Sequence, residues 1–175
     1  MIDFPLFKDQ KPYFELTFRP NFELISVVRR FVSAFYEQIL SDRDATSRIA
    51  LATHELLENA TKYSTDGETA IRIEVTTTCQ AIRIRIWNRA TREHIGNLHE
   101  RFAEMLQFSD PFVYYQKLME RSAKRKEGSG LGLARLRAEA EMQLSWEVDN
   151  DRVCIVADTT VTPAGPTSVP AERAQ

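Results

Sequence analysis

The chain has 175 residues and a mass of 20.2 kDa, one domain's worth of sequence. Hydrophobic residues make up 43% and charged residues 27%, which excludes general disorder; 23 Lys plus Arg against 25 Asp plus Glu leave a formal charge of −2 and no basic footprint for nucleic acid. There is no apolar run of about 18 residues to span a membrane, residues 1–20 lack the pattern of a signal peptide, and two cysteines with three scattered histidines make no zinc pattern, so a cytoplasmic protein with reduced Cys79 and Cys154 is expected.

Residues 1–12 read as a lead-in broken by Pro5 and Pro12. Tyr13 to Phe18 alternates as a strand. Asn21 offers a helix N-cap, and from Phe22 to Leu40 the residues Leu24, Val27, Val28, Phe31, Phe35 and Ile39 recur at helical spacing, predicting the buried stripe. Ser41 or Asp42 starts a second helix that runs to about Ser64, with Ile49, Ala52, Leu56, Ala60 and Tyr63 as its apolar face. A turn at Thr65-Asp66-Gly67 precedes two strictly alternating strands, Ala70 to Thr76 and Ala81 to Trp87, whose short link predicts an antiparallel hairpin. Their isoleucines face one way and Arg72, Glu74, Arg83 and Arg85 the other, the pattern of a sheet with one wet face.

Residues 93–127 read as a helical insert broken at Ser109-Asp110-Pro111. A glycine cluster follows, then a helix from about Leu131 to Met142 and two strands, Leu144 to Val148 and Val153 to Ala157. The expected fold is a two-layer α/β sandwich: a mixed, mainly antiparallel sheet with helices on one face, spanning residues 13–160. Residues 161–175, Pro-rich and without a core pattern, are expected to be a disordered tail.

Two segments carry chemistry. In the second helix, Glu55, Asn59 and Lys62 fall within about 60° of one another at 100° per residue, beside the apolar stripe rather than opposite it. A carboxylate at such a rim can take a proton from an attacking hydroxyl, an amide oxygen can join the oxygen shell of Mg²⁺, and a lysine can pair with phosphate. A solvated polar shoulder is the alternative reading of the same residues. The second segment is Glu127-Gly128-Ser129-Gly130-Leu131-Gly132, which holds three of the six glycines and opens a helix. Consecutive N–H groups and a helix N-terminus there suit a phosphate, while a tight helix-start loop is the plainer alternative. The spacing is neither that of a Walker A loop nor that of a dinucleotide fingerprint.

Together, about 70 residues apart, His54-Glu55-Leu56-Leu57-Glu58-Asn59-Ala60-Thr61-Lys62 and Gly128 to Leu133 resemble the N box and second glycine box of the GHKL (Bergerat-fold) ATPases. The closer likeness is to the anti-sigma-factor serine/threonine kinase branch of the histidine-kinase-like ATPases. The resemblance implies ATP and Mg²⁺ as cofactors, Glu55 as catalytic base, Asn59 as the Mg²⁺ ligand, and Lys62 near the phosphates. Gly128, Ser129, Gly130, Leu131 and Gly132 would wrap the triphosphate. It also implies phosphate transfer to a serine or threonine of a small partner, commonly a STAS-type anti-sigma-factor antagonist; some members hold a sigma factor. Neither nucleic acid nor membrane is an expected partner. The branch often dimerises, and the Phe- and Val-rich first helix suits either a dimer seam or one domain's core.

One departure stands out. The family's Asp-x-Gly-x-Gly box should follow the strand ending near Trp87, but the chain reads Trp87-Asn88-Arg89-Ala90-Thr91-Arg92. Asn88 is the nearest stand-in for the adenine-binding Asp, as a neutral acceptor. Neutral hydrogen bonds net about 0.5–1.5 kcal/mol and charged ones about 1.5–3, so roughly tenfold in affinity is at stake. The altered box and helical insert are similar to the SiaB-type switch kinases. Arg121, Lys124, Arg125 and Lys126 either clamp phosphates or form a solvated face, and Phe108, Phe112, Tyr114 and Tyr115 either pack the core or meet a partner. A non-catalytic protein-binding module of the same fold, its nucleotide site weakened, is the alternative to a kinase.

Overall fold

A computed structural model describes residues 13–40, 42–76, 81–123 and 130–161. The expected lead-in, the tail beyond residue 161, Cys79 and Lys124 to Ser129 lie outside these residues. Ten elements follow in chain order: β1 (Tyr13–Phe18), α1 (Phe22–Glu37), α2 (Arg43–Tyr63), β2 (Thr69–Thr76), β3 (Ala81–Arg89), α3 (Arg92–Leu106), α4 (Pro111–Ala123), α5 (Leu131–Ala138), β4 (Gln143–Asp149) and β5 (Arg152–Thr160).

The strands form one sheet in the order β1-β2-β3-β5-β4. The mainly antiparallel sheet expected from the short links is antiparallel at every described pairing. Register follows the alternation. Ile71, Ile73, Ile84 and Ile86 pair face to face on the helical side, and all are buried. Arg72, Glu74, Arg83 and Arg85 fall on the open side, where Arg72 bonds Glu15 and Glu74, and Arg83 bonds Asp158. Such exposed ladders each add only about 0–1 kcal/mol, but they keep the open face wet and fix the register.

The helices cover the other face. Asp42 caps α2 by accepting from Ala45 N (2.9 Å), and the predicted face Ile49, Ala52, Leu56 and Ala60 is buried against the sheet. Phe102 of α3 stacks on Trp146 of β4, 4.4 Å between ring centroids. The insert is two helices that meet at the predicted Ser109-Asp110-Pro111 break. Among the described residues, no helix is long and apolar enough to cross a membrane.

Two expectations are corrected. The buried stripe of α1 is Ile25, Val28, Val32 and Tyr36; of the stripe predicted from spacing, Leu24, Val27 and Phe31 are 42%, 50% and 49% exposed, and Ile39 is exposed as well. The helix is apolar on two adjacent stripes, and docking on the sheet selects one, helped by Tyr36 donating its hydroxyl to the Ile73 carbonyl (2.9 Å). Phe31 and Phe35 flank Phe14 of the edge strand instead. The second correction is the end of α5. It stops at Ala138 rather than near Met142; Glu141 takes a left-handed conformation (φ 51°) and Met142 N returns to the Leu136 carbonyl (3.1 Å), an ending made without glycine.

Candidate active site

The α2 helix carries Glu55 and Asn59 one turn apart, Asn59 in the lining of a cleft and Glu55 outside that lining, and α5 starts against both. The approach is close: a Cβ placed on Gly132 would lie 2.8 Å from Glu55 Oε2 and 3.3 Å from Asn59 Nδ2. Glycine at 132 is therefore what lets the first turn of α5 touch both groups. Two residues earlier, Gly130 caps α5 in a left-handed conformation (φ 58°) with no side-chain hydrogen bond to the helix's free N–H groups. Those donors are open to an anion. A Cβ on Gly130 would collide with the Arg101 guanidinium, which lies against Gly130.

The cleft is narrow, about 70 Å³, well under the roughly 300–1,000 Å³ of drug-sized ligand sites, so a bound heterocycle would have to widen it. Its floor is the sheet, with Ile86, Val153 and Ile155; one wall is α2, with Leu56, Asn59 and Ala60; the other is α3. This is an apolar slot with a few polar groups placed along it, the usual build of a site that takes a flat heterocycle. Asn88 sits in the floor, buried, and its Nδ2 donates to the Arg89 carbonyl (3.1 Å), which leaves the amide oxygen as the end available to a ligand. Beside it across the ladder is Thr69, whose buried hydroxyl meets no hydrogen-bond partner.

Two further buried atoms in the cleft walls lack partners, Asn59 Nδ2 and His94 Nδ1. Buried polar atoms are ordinarily satisfied, so these two suit completion by a ligand in the slot; Arg48 Nε and His54 Nδ1, away from it, also lack partners among the described residues. The unpartnered atom of Asn59 is its Nδ2 donor, which would meet an acceptor such as phosphate; its amide oxygen is the atom that could join Mg²⁺ held with phosphate and water. Among the described residues no cluster of three or more His, Cys, Asp or Glu could cage a metal without nucleotide.

Glu55 is mostly buried, its side chain 12% exposed, and Oε1 accepts from Arg135 Nη1 at 3.0 Å. Lys62 is exposed, its Nζ 5.3 Å from the Tyr63 ring centroid, and it does not line the cleft. Leu131 is half-buried in the first turn of α5, while Gly128 and Ser129 lie outside the described residues. Arg121 is committed to Glu104 (2.6 Å), in a hollow that adjoins the cleft at Arg101. The insert's aromatics divide: Tyr114 is buried against Phe108, and Phe112 is exposed. Cys154 is buried in β5, where burial and then the nearby Glu147 push its thiol up to about 11, so it is inert.

Sequence reasoning missed the α3 wall. His94, Asn97, Leu98 and Arg101 line the cleft at spacings of three, one and three. That is one face of a helix, and a mixed polar stripe pointing inward was the available signal.

The family model for the histidine kinase-like ATPase domain matches residues 18–137 of this chain. No curated protein matches it. Among solved structures it is similar to a chain of the SiaB–SiaC complex from Pseudomonas aeruginosa, with a TM-score of 0.64 over 83% of this chain and 88% of that one. The two are 11% identical, so what they share is the fold.

Proposed function

The chain belongs to the histidine kinase-like ATPase domain family, and from that premise we propose that it is an ATP- and Mg²⁺-dependent serine/threonine protein kinase that acts on a small partner in a bacterial partner-switching pathway. The observation that carries this reading is the meeting of α2 and α5: a carboxylate and an orphaned amide packed against Gly132, beside an uncapped helix N-terminus and over an apolar slot.

Each residue has a part. Asn88 accepts from the adenine amine, with the slot's isoleucines and Val153 against the ring. Gly130, Leu131 and Gly132, with Gly128 and Ser129 before them, offer backbone N–H groups to the phosphates, and Arg101 supplies the fixed cation there. Asn59 holds Mg²⁺, which when bound neutralises phosphate charge. Glu55 accepts the proton of the partner's hydroxyl as that oxygen bonds the γ-phosphorus and the bond to the bridging oxygen breaks, releasing ADP. Lys62 is free to swing toward the phosphates from its exposed turn.

A protein partner agrees with the similar fold, which comes from a two-protein complex. A STAS-type regulator is the class we favour, with sigma-factor capture and a homodimer as further possibilities of the branch. The second reading, a non-catalytic binding module, draws on Asn88 standing where the family places an Asp. To separate them, proteins captured on the chain are incubated with it and γ-labelled ATP. The kinase reading expects acid-stable label on a serine or threonine of a captured protein, absent with Glu55→Ala. Normal ATP binding without label on any captured protein would favour the binding module.

A further inference from the structure

We propose that Arg135 is a positioning residue for Glu55: it tethers one carboxylate oxygen so that the other is aimed at the glycine loop. The inference rests on Glu55 being the base. Of its two oxygens, Oε1 is bonded to Arg135 Nη1 (3.0 Å) and Oε2 is the one that faces Gly132. Division of labour between the oxygens is what a general base needs. Orientation fixes the attack geometry, and the untethered oxygen keeps its lone pairs for the proton.

Arg135 is itself held. Its Nε donates to Glu139 Oε2 at 2.7 Å, one turn along α5, so the planar fork spans both carboxylates. The hydrogen bond to Glu139, with a further one to Glu55, raises the pKa of a guanidinium that is already permanently charged. A lysine, a single point charge on a flexible stem, cannot span the two carboxylates in the same way. The Tyr115 phenol of α4 is raised above its ordinary value, first by burial and then by the nearby Glu139 carboxylate.

The test uses the full chain and Mg-ATP hydrolysis, with water as acceptor, alongside ATP affinity. Arg135→Gln should lower kcat about tenfold or more with KM and ATP affinity within about threefold, and Arg135→Lys should recover part of the loss. In a Glu55→Gln background the Arg135 change should cost nothing further, an outcome that a merely structural staple between α2 and α5 would not give. Crystal structures of the chain and of Arg135→Gln give an independent readout: Glu55 Oε2 beside Gly132 in the first and turned away in the second. An unaltered Glu55 in the variant, full turnover by it, or additive losses with Glu55→Gln would overturn the tether. Full turnover by Glu55→Gln alone would instead overturn the assignment of the base, and the tether with it.

Discussion

The two walls of the cleft are built by different means. The α2–α5 wall is mostly closed upon itself: Glu55 is ion-paired, Gly132 is packed against two side chains and α2 is capped, while Asn59 Nδ2 is left without a partner among the described residues. The wall made by the end of β3 and by α3 is left open: among the described residues His94 Nδ1 and the neighbouring Thr69 hydroxyl lack partners, and Arg101 lies against Gly130 without a carboxylate partner. A wall meant for chemistry has its geometry fixed before the ligand arrives. A wall meant to recognise the ligand keeps unspent hydrogen-bonding capacity for it.

This contrast can be broken from either side. The largest effect is expected at Glu55: Glu55→Gln should reduce turnover by about 10²–10⁴ while leaving ATP affinity within about threefold, measured by single turnover and calorimetry. Equal losses in both would place Glu55 in binding rather than chemistry. Next comes Asn59→Ala, which should make ATP binding insensitive to Mg²⁺ and about tenfold or more weaker in its presence.

Gly132→Ala sharpens the comparison, because it separates function from folding. The added methyl displaces the ends of Glu55 and Asn59, both flexible side chains, so turnover should fall about tenfold. Alanine in a helix interior gains about 0.5–1 kcal/mol over glycine, so the melting temperature should hold or rise. A loss of stability would mean that the close approach is structural.

On the recognition wall, Asn88→Ala should weaken ATP by roughly tenfold with little change in maximal turnover, since a neutral hydrogen bond is removed from the floor. The smallest effect is the control. Asp42→Ala removes the α2 cap at a cost of about 1 kcal/mol in stability, seen in denaturant unfolding, and should leave ATP affinity alone.

Legibility in the sequence followed the same division. The strands with strict alternation, the hairpin and the buried face of α2 were readable because one period accounts for each. The α2 pair Glu55 and Asn59 and the Gly132 that packs against them were readable because each motif is local. The face of α1 was not, since Leu24, Val27 and Phe31 form as good a stripe as Ile25, Val28 and Val32, and only the sheet decides between them. The end of α5 was hidden because Glu141 takes the left-handed position that glycine usually marks. Arg101 and Arg135 were missed for a third reason: each acts across a tertiary contact, to Gly130 and to Glu55, that no sequence spacing encodes.

The central claim is that the open wall takes adenine and the closed wall takes magnesium and phosphate in one cleft. Calorimetric titration of the chain with ATP, with and without Mg²⁺, tests it most directly. The account predicts micromolar binding that depends on Mg²⁺ and loses that dependence in Asn59→Ala. A folded chain that gives no binding heat at millimolar ATP under either condition would contradict it.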